Sequence, residues 1–129
     1  DVCSSDLDKD ALSKWKLWAK EATKQSRRSW IPEIVDVKST HQIKEMIEDS
    51  ELTLIFHESA VEKLSKVATG KPPKEILVVI GPEGGLSEDE VALFTTAGGH
   101  VVSMGTPVFR SAHAGVAALA AIQTSFGIW

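Results

Sequence analysis

Apolar positions along this chain switch between two periods. From Asp8 to about Gln25, Leu12, Trp15, Ala19, Ala22 and Ser26 recur at spacings of three and four. That period predicts an amphipathic helix with one stripe toward a core and Trp18 off the stripe. Arg27 to Pro32 reads as a connector, since proline disfavours helical geometry in the residue before it. Ile34 to Val37 predicts a short strand. Ser39 or Thr40 is placed to cap a helix through Ile43, Met46 and Ile47. The pattern then becomes continuous. Leu52-Thr53-Leu54-Ile55-Phe56 predicts a buried strand ending at His57-Glu58, followed by a short helical stretch from Val61 to Val67.

Thr69 to Lys74 is a Gly/Pro loop. Ile76-Leu77-Val78-Val79-Ile80 is the most apolar run and is therefore expected at the centre of the sheet. Ser87 and Glu90 have the spacing of a capping box for a helix through Val91, Leu93 and Phe94, which Gly98-Gly99 ends. His100 to Ser103 predicts another strand. Ser111 to about Phe126 predicts a final alanine-rich helix. Strands alternating with helices give an α/β fold with a mainly parallel sheet flanked by helices. The pattern alone draws an ordinary open sheet, with no internal repeat.

Composition narrows the class. At 129 residues, 43% hydrophobic and 25% charged, the chain is one domain's worth of ordinary globular sequence. No apolar run reaches the length of a membrane span, and no signal-peptide pattern opens the sequence, so a cytoplasmic location is the default expectation. The single cysteine, Cys3, leaves no internal disulfide framework. The four histidines do not fall at metal-ligand spacing, so no metal is predicted. A net charge of −4 argues against gripping nucleic acid by bulk electrostatics. Basic residues do gather at Lys14, Lys16, Lys20, Lys24, Arg27 and Arg28, either as a solvated helix face or as a patch toward RNA.

Two glycine turns hold the candidate chemistry. The strand ending at Ile80 runs into Gly81-Pro82-Glu83-Gly84-Gly85, and the strand ending near Ser103 runs into Met104-Gly105-Thr106-Pro107. Glycine lets the main chain approach a ligand closely, and ligands of α/β sheets sit beyond the carboxyl ends of strands. The first turn is neither a phosphate loop nor a Rossmann fingerprint, because the spacing and the lysine are missing. By spacing alone it is a tight strand-to-helix turn whose residues only shape the backbone.

The string Ile80 to Glu90 (IGPEGGLSEDE), followed by Met104 to Ser111 (MGTPVFRS) and a helix ending in Gln123, resembles the C-terminal half of the ribosomal RNA small subunit methyltransferase E family. Glu21 to Arg28 and Ile31 to Ile34 are similar to that family too, so the resemblance runs from about Trp15 to the end. It implies a SPOUT-type domain over residues 8–129 with a deep C-terminal trefoil knot, a rare exception to the usual topology rules. It also implies S-adenosylmethionine as cofactor, small-subunit ribosomal RNA as partner, and a homodimer. The family carries a small PUA-like β-barrel RNA-binding domain ahead of this region, and the residues here are expected to lack it. Residues 1–7 resemble a translated sequencing-adapter fragment and are read as non-native, so Cys3 carries no functional weight.

By this resemblance, backbone groups of Ile80, Gly81, Pro82, Glu83 and Gly84 and of Met104 and Gly105 are expected to hold the cofactor. Phe109, Arg110, Ser111 and Ala114 join them, with His57 and Glu58 at the neighbouring strand end. Glu83 either orients a loop, touches the ribose, or favours the following helix start by its charge. The family usually shows Leu-Gly-Pro-Arg where this chain has Met104 to Pro107, so the arginine expected at 107 is absent. Arg110 is the expected catalytic residue, a permanent cation with a fork of donors for uracil or phosphate. Its place near a helix start calls for a compensating partner, because the helix dipole disfavours a cation there. Ala112 replaces a glutamate found in many members, which excludes a carboxylate base at that position. His113 is a conceivable proton acceptor one turn on, while His41 and His100 read as surface or packing residues.

The implied reaction is methylation of N3 of a uridine in small-subunit ribosomal RNA. A related ribose 2′-O-methyltransferase, or a non-catalytic cofactor- or RNA-binding module, are the alternatives.

Overall fold

The computed structural model describes residues 7–129, and the side chains from Asp10 onward. The reading of the opening residues as non-native lies outside the described residues, except that Leu7 begins the first helix. The chain divides into two units, residues 1–39 and residues 40–129.

The first unit holds α1 (Leu7–Gln25). Its least exposed positions are Ala11, Leu12, Ala19 and Thr23, while Trp15, Ala22 and Ser26 are exposed. The sheltered stripe is therefore rotated from the expected one toward Thr23, whose hydroxyl donates to the Ala19 carbonyl at 2.7 Å. That bond lets a polar residue sit inside. Arg27 ends the helix with φ 54°, and Arg28 N–H bonds back to the Thr23 carbonyl at 3.1 Å. A left-handed residue closing such a bond is a Schellman-type stop. The cationic side chains Lys14, Lys16, Lys20, Arg27 and Arg28 are exposed, and Lys24 pairs with Glu21 at 2.9 Å.

The strand expected over Ile34–Val37 is absent: these residues are irregular. Val35 and Val37 are 53% and 71% exposed, and β-propensity without a partner strand does not hold a strand together.

The second unit is a three-stranded parallel sheet between helices. In chain order it runs α2 (Thr40–Asp49), β1 (Thr53–Phe56), α3 (Leu64–Val67), β2 (Leu77–Ile80), α4 (Glu88–Thr96), β3 (His100–Val102) and α5 (Ser111–Ser125). The strand order is β2-β1-β3, so β1 and not β2 is central. All four β1 residues are buried, whereas those of β2 are half-buried. Continuous hydrophobicity marked both strands as buried but could not rank them.

Side chains alternate across the sheet as the pleat requires. Leu54, Phe56 and Val102 face Leu64, Ala118 and Ile122 of α3 and α5, with Val78 and Ile80 alongside. Ile55 faces Ile47 and Phe94 of α2 and α4, with Leu77, Val79 and Val101 alongside. The capping box of α4 forms in both directions: Glu90 N–H donates to Ser87 Oγ, and Ser87 N–H donates to Glu90 Oε2. Gly99 is required by packing, since a Cβ there would lie 2.5 Å from Ile55 Cδ1. On α5, Ala114, Ala118 and Ile122 are buried, while Val116 and Leu119 on the opposite side are 68% and 54% exposed.

Candidate active site

Parallel pairing brings three strand ends to one edge. Phe56 of β1 is in register with Ile80 of β2 and with Val102 of β3. The chain leaving each strand turns over that edge. After β1, His57 N–H donates to the Val102 carbonyl at 3.2 Å, and Ser103 N–H donates to the Glu62 carbonyl at 2.9 Å. After β2, Gly85 N–H closes a turn on the Pro82 carbonyl at 2.8 Å, with Gly85 at φ 76°. After β3, Gly105 takes φ 124°, in the region that favours glycine.

These turns and the start of α5 enclose a cavity of about 660 Å³. It has the size of a site for a small cofactor. His57 and Glu58 line one side. Ile80, Gly81, Pro82, Glu83 and Gly84 form the first turn wall, and Met104 and Gly105 the second. Phe109, Arg110, Ser111 and Ala114 complete it, so every residue expected at the site lines this one cavity. His113 is exposed and does not line it, and neither do His41 and His100.

Sequence reasoning missed Phe56, Leu86, Val102, Ser103 and Val108, which line it as well; Gly85, Pro107 and Ala112, noted in the turns and at the helix start but not among the cofactor-holding residues, line it too. Phe56 and Val102 were legible in principle as the last residues of their strands. Leu86 is not, because its place depends on how the first turn folds: a Cβ on Gly81 would lie 3.2 Å from Leu86 Cγ.

The glycines differ in what they do. Gly81 is hemmed in by Leu86, so its small size closes the turn itself. A Cβ on Gly84 would meet nothing within 4 Å, and one on Gly105 only Pro107 Cδ at 3.8 Å. Main chain at Gly84 and Gly105 is therefore open to whatever enters.

Charge is sparse but placed. Arg110 is the N-cap of α5, yet no side-chain hydrogen bond caps that helix. The ion pairs among the described residues, Glu21–Lys24 and Lys44–Glu48, do not involve Arg110. Ser111 Oγ donates to Glu83 Oε1 at 2.5 Å across 28 residues of sequence. That hydrogen bond, helped by one from its own backbone, lowers the Glu83 carboxyl below its ordinary range. A depressed folded-state value means the carboxylate tie is in place above the ordinary carboxylate range and is lost only as pH falls below it. His57 Nδ1 lies 2.8 Å from Ser59 Oγ and accepts from Ser59 N–H at 3.3 Å, which directs its Nε2 away from that loop as a donor in the neutral ring. No group of histidine, cysteine and acidic side chains among the described residues could hold a metal ion.

A cavity built of strand ends and open glycine turns narrows the possibilities; comparison with known proteins decides the family. The model of the RNA methyltransferase domain matches residues 1–123. The chain belongs to the RNA methyltransferase domain family. Among its relatives, ribosomal RNA small subunit methyltransferase E of Mycobacterium bovis is 33% identical over 122 residues, covering 92% of this chain and 46% of that protein. The Bacillus subtilis protein of the same name is 33% identical over 125 residues, 90% of this chain and 49% of that one. The chain thus spans about half the length of these relatives.

Solved structures agree on the architecture of the methyltransferase domain. Ribosomal RNA small subunit methyltransferase E from Neisseria gonorrhoeae, bound to S-adenosylmethionine, superposes with a TM-score of 0.78 at 28% identity. The match covers 89% of this chain and 48% of that one. A protein from Legionella pneumophila solved with bound S-adenosylmethionine gives 0.81 at 29% identity, covering 97% and 52%. The α/β, SPOUT-type fold expected from the sequence is the fold this chain has.

Proposed function

We propose that this domain transfers a methyl group from S-adenosylmethionine to N3 of a uridine in small-subunit ribosomal RNA. The observation that carries the reading is the single cavity over the strand ends, whose walls are the two open glycine turns and the Arg110 end of α5. Relatives and a solved neighbour named ribosomal RNA small subunit methyltransferase E support small-subunit ribosomal RNA as the substrate.

The residues present fit the cofactor. The volume suffices, and main chain at Gly84 and Gly105 is unobstructed toward the cavity. Backbone N–H and C=O groups of the Gly81–Gly84 and Met104–Gly105 turns would hold its adenine and ribose edges, with His57 and Glu58 at the side. When bound, the cofactor supplies an already activated methyl group on a sulfonium. The work left to the protein is positioning. Arg110, fixed at the head of α5, holds the uracil and stabilises the negative charge on its ring as N3 gives its proton to water. The target base is splayed from its helix to enter. The exposed cations Lys14, Lys16, Lys20, Arg27 and Arg28 offer a phosphate contact surface.

The setting is cytoplasmic, where ribosomal RNA is made and assembled, and no helix among the described residues is long and apolar enough to cross a membrane. The C-terminal trefoil knot belongs to this reading as well.

The reading is tested by incubating the chain with small-subunit RNA and labelled cofactor, then mapping the methyl group. A single N3-methyluridine is expected; a 2′-O-methyl ribose moves the chain to the other chemistry, and label-free RNA with folded protein contradicts the proposal.

Assembly as a homodimer is part of the same reading. The exposed Val116 and Leu119 of α5 support it, since apolar side chains facing out from a helix gain by burial against a second copy. Sedimentation equilibrium at micromolar concentration is expected to give twice the chain mass; a monomer would refute the dimer.

A further inference from the structure

Arg110 poses an electrostatic problem. It is the N-cap of a 15-residue helix, its own side chain makes no capping bond, and the helix dipole opposes a cation at that end. An acid within the first turn of a helix is the usual remedy, but α5 has none. The acid comes instead from the far wall of the cavity: Glu83, in the first glycine turn, accepts the Ser111 hydroxyl at 2.5 Å.

We propose that Glu83 and Ser111 are a positioning pair, a clasp that ties the start of α5 to the first glycine turn and so fixes Arg110 over the cavity. Three observations converge on this. The bond joins residues 28 apart in sequence, so it orders two walls relative to each other and not a local turn. It is charge-assisted, the stronger kind of hydrogen bond, and the lowered Glu83 carboxyl keeps it so across the neutral range. The anion also lies beside the first residue of α5, where the helix dipole favours negative charge and the helix has no acid of its own.

Both walls carry the surfaces that the methyltransferase reading needs, main chain on one and Arg110 on the other, so the clasp rests on that reading for its purpose. It is a structural device in its own right for its existence. Glu58, His57 and Arg110 are the other charged or titratable groups lining the same cavity.

The test is amide hydrogen exchange at His113 and Ala114, whose N–H groups both bond the Arg110 carbonyl at 2.9 Å. In Glu83→Ala and Ser111→Ala, exchange there is expected to speed up about three- to tenfold, the reach of one net hydrogen bond at an open site. The double variant is expected to be no faster than either single one, because both remove the same contact. Ser111→Thr keeps the hydroxyl and restores the wild-type rate.

The sign is informative. Alanine is a better helix former than serine, so without a clasp Ser111→Ala would slow exchange or leave it unchanged. Unchanged or slower exchange in Ser111→Ala, additive effects in the double variant, or failure of threonine to rescue would each overturn the proposal. Should the wild-type chain not bind S-adenosylhomocysteine, the methyltransferase reading would fall while the exchange data still judged the clasp.

Discussion

Arg110→Ala is expected to lower methyl transfer about a hundred- to a thousandfold, the usual loss when one charge-stabilising donor is removed from a reacting centre. Affinity for S-adenosylhomocysteine is expected to stay within about threefold, since the cofactor is held mainly by main-chain groups of the glycine turns, which keep their own geometry. The split follows from the placement of Arg110. It lines the cavity from the head of α5, while the open main chain belongs to the loops after β2 and β3. Single-turnover rates and a calorimetric titration on the same variant measure the two quantities separately. Arg110→Lys keeps the charge but not the planar fork, and its turnover should fall between wild type and alanine. Wild-type turnover in Arg110→Ala would remove Arg110 from the chemistry. An equal collapse of cofactor affinity would make it a binding residue instead.

Gly105→Val is expected to weaken S-adenosylhomocysteine binding by more than about a hundredfold. Two effects add. At φ 124° a β-branched residue is strained, on the order of 1–3 kcal/mol. A Cβ at Gly105 has only Pro107 Cδ within 4 Å, at 3.8 Å, and Gly105 lines the cavity, so an added side chain stands at the cavity wall. Folding bears the backbone strain, but the buried core at Leu54 and Ile55 is untouched, so the variant is expected to remain folded while binding is lost. Gly105→Ala should fall between. Calorimetry with far-ultraviolet circular dichroism as the folding control decides it. A folded Gly105→Val chain that binds as wild type would mean the second turn is not a wall of the cofactor site.

The lining of the candidate cavity was more legible in the sequence than parts of the scaffold. Glycine turns placed directly after apolar runs can be read as strand-end loops, and in a parallel sheet all strand ends fall on one edge. That is why Gly81–Gly84, Met104–Gly105 and His57–Glu58 meet. The capping box at Ser87 and Glu90 was equally local and formed as expected.

What failed depended on distant neighbours. Ile34–Val37 has the composition of a strand but finds no partner, so no hydrogen-bond ladder forms. The run ending at Ile80 is the most apolar, yet β1 takes the centre, because strand order is set by crossovers and packing of α3, α4 and α5 and not by hydrophobicity within one strand. The Glu83–Ser111 bond was hidden for the same reason. A helix with a cation at its head called for a compensating partner, but nothing in the spacing pointed to an acid 28 residues earlier.

Titration of the wild-type chain with S-adenosylhomocysteine by calorimetry tests the central claim most directly, because every step of the proposed chemistry needs the cavity over β1, β2 and β3 to hold that cofactor. The account predicts one site per chain with a dissociation constant on the order of micromolar, about −8 kcal/mol. A folded chain that releases no heat with this ligand at millimolar concentration would contradict it.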